Sequence, residues 1–79
     1  MKVEVKKFDE QATVPKFAHA TDAAMDLFTC EKVLLAPGSI TKIRTGIGID
    51  ILEGFAGIIK DKSSVAAKGL LTLGGVVDA

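Results

Sequence analysis

Two lysines, one acid and two adjacent hydroxyls stand together in Lys60-Asp61-Lys62-Ser63-Ser64, and Val65-Ala66-Ala67-Lys68-Gly69 follows at once. The second half of this run suits a short helical turn. Asp61 or Ser63 can cap its start, because their side-chain oxygens accept from unpaired backbone N–H groups. Gly69 suits the position just past a helix end. The free N–H groups of such a first turn, with hydroxyls and an ammonium beside them, attract anionic oxygen, phosphate above all. The same residues also suit a capped surface turn with solvated lysines, so the run alone leaves both readings open.

Two further aspartates stand on either side of it. Asp26 lies in Ala23-Ala24-Met25-Asp26-Leu27, and Asp78 lies in Gly75-Val76-Val77-Asp78. Taken singly, Asp26 reads as a turn or surface aspartate. Asp78 reads as the turn aspartate that often follows a strand. His19 has no second histidine and no cysteine at ligand spacing, which argues against a zinc site. Cys30 has no histidine partner in a recognisable arrangement and reads as a small, buried apolar residue. Lys68 reads as a solvated charge, favourable at a helix end.

The elements that must position these groups are short. Residues 2–8 alternate charged and aliphatic, as a half-buried strand does. Residues 9–20 carry Pro15 and mixed polar side chains and read as a loop, extended around Pro15-Lys16-Phe17. Residues 26–29 and 33–35 read as short strands, and Ala36-Pro37-Gly38-Ser39 as a turn. Residues 40–51 form the clearest strand, with Ile43, Thr45, Ile47, Ile49 and Ile51 on one parity. Ile43, Ile47 and Ile49 are expected to be buried. The opposite parity holds Lys42, Arg44, Gly46, Gly48 and Asp50, and its two glycines imply close packing or a bend. Glu53-Gly54 is a second turn. Residues 55–60, 70–73 and 75–77 complete the strands. Many short strands separated by turns indicate an all-β sandwich or barrel, with any small β-barrel or half-sandwich fitting the pattern.

Composition narrows the function classes. Seventy-nine residues allow one small domain, 1–79, and a core that gains from self-association. The single cysteine excludes an internal disulfide and suits a reduced, cytoplasmic setting. A formal charge of zero argues against general nucleic-acid binding. No apolar run approaches a membrane span, and the N-terminus is unlike a signal peptide.

Taken in order and spacing, three stretches resemble the first three motifs of the trimeric dUTP diphosphatase (dUTPase) family. Ala23-Ala24-Met25-Asp26-Leu27 is similar to a first motif of the form Ala-x-Gly-Tyr-Asp-Leu, with Ala24-Met25 in place of Gly-Tyr. Residues 62–69 are similar to Arg-Ser-Ser-Leu-Ala-x-Lys-Gly, with Lys62 in place of arginine. Gly75-Val76-Val77-Asp78 is similar to the Gly-Val-Ile-Asp that begins the third motif, and Thr45-Gly46-Ile47 resembles a connecting family strand.

The resemblance implies a partial jelly-roll-like β-barrel with one short helical turn after Lys62-Ser63-Ser64. It implies hydrolysis of dUTP to dUMP and pyrophosphate with Mg2+, in a homotrimer whose sites are shared between subunits. By the same resemblance Lys62, Ser63 and Ser64 contact phosphate. Lys62 keeps the family's positive charge but not the two-pronged arginine fork. Asp26 stands near the metal-bound triphosphate, through water. Asp78 faces the sugar 3′-hydroxyl and activates the attacking water. The backbone of Val76 and Val77 lines the same hairpin, and Thr72 sits where some relatives place a polar substrate contact. The resemblance covers the first half of a usual member. The tyrosine under the deoxyribose, the rest of the uracil-reading hairpin and the later motifs would lie beyond Ala79, so the 79-residue chain is expected to be inactive by itself. Two other readings remain: a dCTP deaminase-like enzyme, which shares the fold and a similar Arg-Ser-Ser motif, and a non-catalytic nucleotide- or phosphate-binding fragment.

Overall fold

Alternation along the N-terminal segment and along the isoleucine-rich segment prepares them to pair. In the computed structural model, which describes residues 2–79, they do. Strand β1 is Glu4–Lys7 and β2 is Ile47–Asp50, and together they form a two-stranded sheet. A second two-stranded sheet joins β3, Gly57–Ile58, to β4, Val76–Val77, and helix α1, Ser63–Ala66, lies between them in sequence. The architecture is mostly strand and loop with little helix, and no closed barrel forms among the described residues. The chain divides into two compact units, Glu4–Ile49 and a second made chiefly of Asp50–Ala79.

In the unit Glu4–Ile49 the sheet ends at a glycine. The N–H of Phe8 donates to the Gly46 carbonyl at 2.8 Å. Gly46 then takes φ +71, a left-handed conformation that side chains other than glycine adopt at a cost. A Cβ there would stand 2.9 Å from Cβ of Asp9, 3.0 Å from Cβ of Ala12 and 3.2 Å from Cβ of Cys30. The chain therefore bends and packs closely at one residue. This shortens the expected 40–51 strand to Ile47–Asp50. The parity survives the bend: Ile43, Thr45, Ile47, Ile49 and Ile51 are half-buried, while Lys42, Arg44 and Asp50 on the opposite parity are exposed. The expectation that Ile43, Ile47 and Ile49 are buried is thus corrected to half-burial on one shared face. The buried residues, among those described, are Ala12 and Pro15, in the loop that packs below Gly46.

Asp9 organises that loop. One carboxylate oxygen accepts the Gln11 N–H at 2.8 Å, and its carbonyl accepts the Ala12 N–H at 3.0 Å. The other oxygen meets the Arg44 guanidinium at 3.3 Å. Both expected turns form, closed by Ser39 N–H to the Ala36 carbonyl at 3.1 Å and by Phe55 N–H to the Leu52 carbonyl at 3.0 Å. The strands expected at 33–35 and 70–73 do not form, and 26–29 contributes a single bridge, Lys16 to Asp26. A strand needs a second strand to pair its N–H and C=O groups, and these apolar segments have no pairing strand among the described residues. Leu34, 98% exposed, is the extreme case.

Two alanine substitutions separate the backbone cost of a left-handed glycine from the cost of close packing. Gly38, φ +75, has nothing within 4 Å of the point a Cβ would occupy, so Gly38→Ala should lose about 1 kcal/mol, the backbone cost alone. Gly46→Ala should lose roughly 1–3 kcal/mol more, because its Cβ also collides with neighbours. Urea denaturation of the two variants reads the difference; equal losses would show that the packing around Gly46 relaxes freely.

Candidate active site

The candidate phosphate-binding residues lie on a loop tied at its base by backbone pairing. Gly57 is registered with Val77 and Ile58 with Val76 in an antiparallel ladder. One step further the Ile59 N–H donates to the Gly75 carbonyl at 2.8 Å. Gly75 has φ +135, and a Cβ there would stand 2.8 Å from the Ile59 carbonyl oxygen. Only glycine lets the two arms come this close while the backbone turns out of strand geometry. Beyond this point regular pairing stops. A side chain takes over: Asp61 Oδ1 accepts the Thr72 N–H at 2.7 Å.

Between Asp61 and Thr72 lies α1. Lys62, extended at φ −76 and ψ 127, is its N-cap and supplies no side-chain cap. Its carbonyl accepts the N–H of Val65 at 3.0 Å and of Ala66 at 2.8 Å. The expected capping by Asp61 or Ser63 is therefore corrected. Asp61 is committed across the loop to Thr72, and Ser63 is already inside the helix. The N–H groups of Ser63 and Ser64 have no intrahelical partner, as at any helix start. Both serines are exposed, and their hydroxyls make no hydrogen bond among the described residues. At the other end, Gly69 has φ +87, its N–H donates to the Ala66 carbonyl at 2.9 Å, and the Leu70 N–H donates to the Val65 carbonyl at 3.3 Å. That pair of bonds is the glycine-terminated helix end the sequence anticipates.

One unit thus holds Lys62, Ser63 and Ser64 on the loop, Thr72 on its return arm, and Val76 and Val77 in β4 with Asp78 directly after. Asp78 is exposed, at the end of a strand whose register is set by Gly57 and Ile58. Asp26 lies in the other unit. It is half-buried and exchanges backbone bonds with Lys16, its N–H donating at 2.8 Å and its carbonyl accepting at 3.4 Å. His19 pairs with Asp22: Nδ1 lies 3.3 Å from Oδ2, which also accepts the His19 N–H at 2.9 Å. No group of three or more His, Cys, Asp or Glu side chains is placed to hold a metal among the described residues. No helix is long and apolar enough to cross a membrane among them.

The residue that sequence reading misplaced is Asp61. Its partner is eleven residues away, so the link is invisible to any local capping pattern; the only signal is an acid directly before a candidate anion site, where a free carboxylate would repel the ligand. The N–H and the hydroxyl of Thr72 hold the Asp61 carboxyl below its usual range, with Lys60 adding a smaller pull in the same direction. A depressed folded-state pKa means the stability of this link is fully present above the ordinary aspartate value of about 3.9. It is lost as pH falls through the lower folded value. The Thr72 amide resonance should therefore titrate with a midpoint below the ordinary aspartate value of about 3.9. A midpoint at or above the ordinary value would show that the link does not hold in solution.

Comparison with known proteins agrees with this geometry. The dUTPase family profile matches residues 10–79. A deoxyuridine 5'-triphosphate nucleotidohydrolase of Thermobifida fusca is 42% identical over 82 aligned residues, covering 100% of this chain and 46% of that protein. One from Trichodesmium erythraeum is 38% identical, covering 92% of this chain and 51% of the relative. Among solved structures, the Staphylococcus bacteriophage 80alpha dUTPase with dUPNHPP superposes with a TM-score of 0.92 at 34% identity, over 99% of this chain and 47% of its own. A dUTPase mutant from phage phi11 of S. aureus, described with a structural Mg(II) ion, matches at TM-score 0.92 and 34% identity over 100% of this chain and 52% of its own. The chain spans about half the length of the relatives it matches. With these matches running through the loop and the ladder just described, the chain belongs to the dUTPase family.

Proposed function

We propose that this chain contributes the phosphate-binding loop and the general base of a dUTP diphosphatase, an enzyme that hydrolyses dUTP to dUMP and pyrophosphate. The observation that carries the reading is the shared base of two motifs. The β3–β4 ladder ties the arm entering Lys62-Ser63-Ser64 to the arm leading into Val76-Val77-Asp78. Lys62 supplies positive charge to the triphosphate, and the N–H and hydroxyl groups of Ser63 and Ser64 donate to its oxygens. Asp78 accepts a proton from the attacking water as pyrophosphate departs. The backbone of Val76 and Val77, anchored opposite Ile58 and Gly57, frames the sugar, and Thr72 offers a polar contact from the return arm.

Mg2+ fits this donor set in one way. Without a cluster of three carboxylate or imidazole ligands among the described residues, the ion would be held mainly by substrate phosphates and water, with Asp26 reached through water. When bound, it supplies neutralisation of phosphate charge. The assembly is a homotrimer with shared sites, and the exposed Leu34, Ile40 and Leu73 supply apolar surface for such contacts. The family profile runs through both compact units, which supports one domain over 1–79. The free Cys30 suits the reducing cytoplasm. The relatives' names and the dUPNHPP-bound neighbour favour dUTP hydrolysis over a dCTP deaminase activity or a non-catalytic role.

In the complete chain, Asp78→Asn keeps the side-chain shape and removes the base. Turnover of dUTP should fall roughly a hundred- to ten-thousand-fold, with dUTP binding retained. An Asn variant with parental kcat would sink the role of Asp78.

A further inference from the structure

Asp61 stands directly before the phosphate-binding residues and carries the wrong charge for their ligand. Left free, it would oppose phosphate by like-charge repulsion. It is not free. Its Oδ1 accepts the Thr72 N–H at 2.7 Å, and this bond lies where the backbone ladder has run out. The ladder's last rung is Ile59 N–H to the Gly75 carbonyl at 2.8 Å. Past it, Gly74 and Gly75 at φ +76 and +135 turn the return arm away from strand geometry, so no backbone carbonyl continues the pairing. The Asp61 carboxylate replaces that carbonyl and reaches across to the return arm.

We propose that Asp61 is a positioning residue: by clasping Thr72 it closes the base of loop 61–72 and sets where Lys62, Ser63 and Ser64 stand. The loop between the clasped residues contains only α1 and its glycine-terminated end, and α1 has no side-chain cap to fix its start. A four-residue helix does not hold itself in water. Its orientation must come from its two attachments, and the nearer to Ser63 is the clasp, just upstream. Engaging the carboxylate with Thr72 also directs part of its negative charge to a donor other than the ligand's surroundings. The inference deepens the phosphate-binding reading above and rests on it for its functional meaning.

The clasp can be read without any ligand. In the complete chain, Asp61→Ala removes the acceptor, whereas Asp61→Asn keeps an oxygen in the same place without the charge. The expected result is that Asp61→Ala shifts the amide resonances of Ser63, Ser64 and Thr72 and raises their hydrogen-exchange rates, while those of Phe8 and Gly46 stay put. Asp61→Asn should return the Ser63 and Ser64 signals most of the way. With Mg2+ and pyrophosphate as the probe, Asp61→Ala should bind roughly tenfold more weakly, the order expected from losing one hydrogen bond to a charged acceptor, and Asp61→Asn should recover most of that loss. Two results would overturn the clasp: Ser63 and Ser64 signals unmoved in Asp61→Ala, or an Asp61→Asn variant as perturbed as the alanine. If the ligand-free signals behave as expected but the parental protein shows no pyrophosphate response at Ser63 and Ser64, the clasp stands and the phosphate reading falls.

Discussion

The site depends on one antiparallel tie. Without the pairing of Gly57 with Val77 and Ile58 with Val76, the loop bearing Lys62, Ser63 and Ser64 and the strand end bearing Asp78 would be two unrelated surface segments, well separated along the chain. Two strands of two residues each are a weak structure by themselves. Their reach is extended by two further bonds, Ile59 to Gly75 and Asp61 to Thr72, of which the second uses a side chain because the backbone has already turned away. The result is a narrow base and a short helical tip. Such a form places N–H groups and hydroxyls outward with little material, which suits a ligand that is mostly oxygen and charge.

Close approach, more than burial, organises the rest of this small chain. Among the described residues only Ala12 and Pro15 are buried, whereas several large apolar side chains are exposed. Where the chain does pack tightly it uses glycine. The Phe8 ring lies where a Cβ on Gly48 would be, and Cβ atoms of Asp9, Ala12 and Cys30 crowd the corresponding position at Gly46. Gly75 does the same against the Ile59 carbonyl in the other unit. Exposed apolar area on this scale is characteristic of surfaces that other protein segments cover.

Charge placement follows the same pattern of local commitments. Asp9 turns its own loop with one carboxylate oxygen and meets Arg44 with the other. Asp61 closes the loop base. Both acids are thereby given fixed structural partners, and Lys62 stands at the head of the helix. The substitution of lysine for the family's arginine retains the charge there and gives up planar, two-pronged recognition, which in the proposed site would leave more of the phosphate contact to Ser63 and Ser64.

Sequence alone determined the chemistry and the coarse plan of this protein. Residue type and order single out Lys62, Ser63 and Ser64 as the groups to follow, because hydroxyl and ammonium have the same chemistry in any fold, while Asp26 and Asp78 are singled out only by the family resemblance. Parity marked the isoleucine face that is half-buried in the structure, and proline and glycine marked turns at Ala36-Pro37-Gly38-Ser39 and Glu53-Gly54, since these are local steric properties. The glycine-terminated helix end at Gly69 was legible for the same reason. Tertiary structure alone decided the strand limits, the half-burial of Ile43, Ile47 and Ile49, and the true partner of Asp61. Strand length depends on whether a second strand lies alongside to pair with, and 33–35 and 70–73 have no pairing strand among the described residues. The bend at Gly46 depends on Asp9, Ala12 and Cys30, all distant along the chain. Asp61 could have capped its own helix on local grounds, but the return arm brings the Thr72 N–H to 2.7 Å, and a carboxylate takes the donor that the fold delivers.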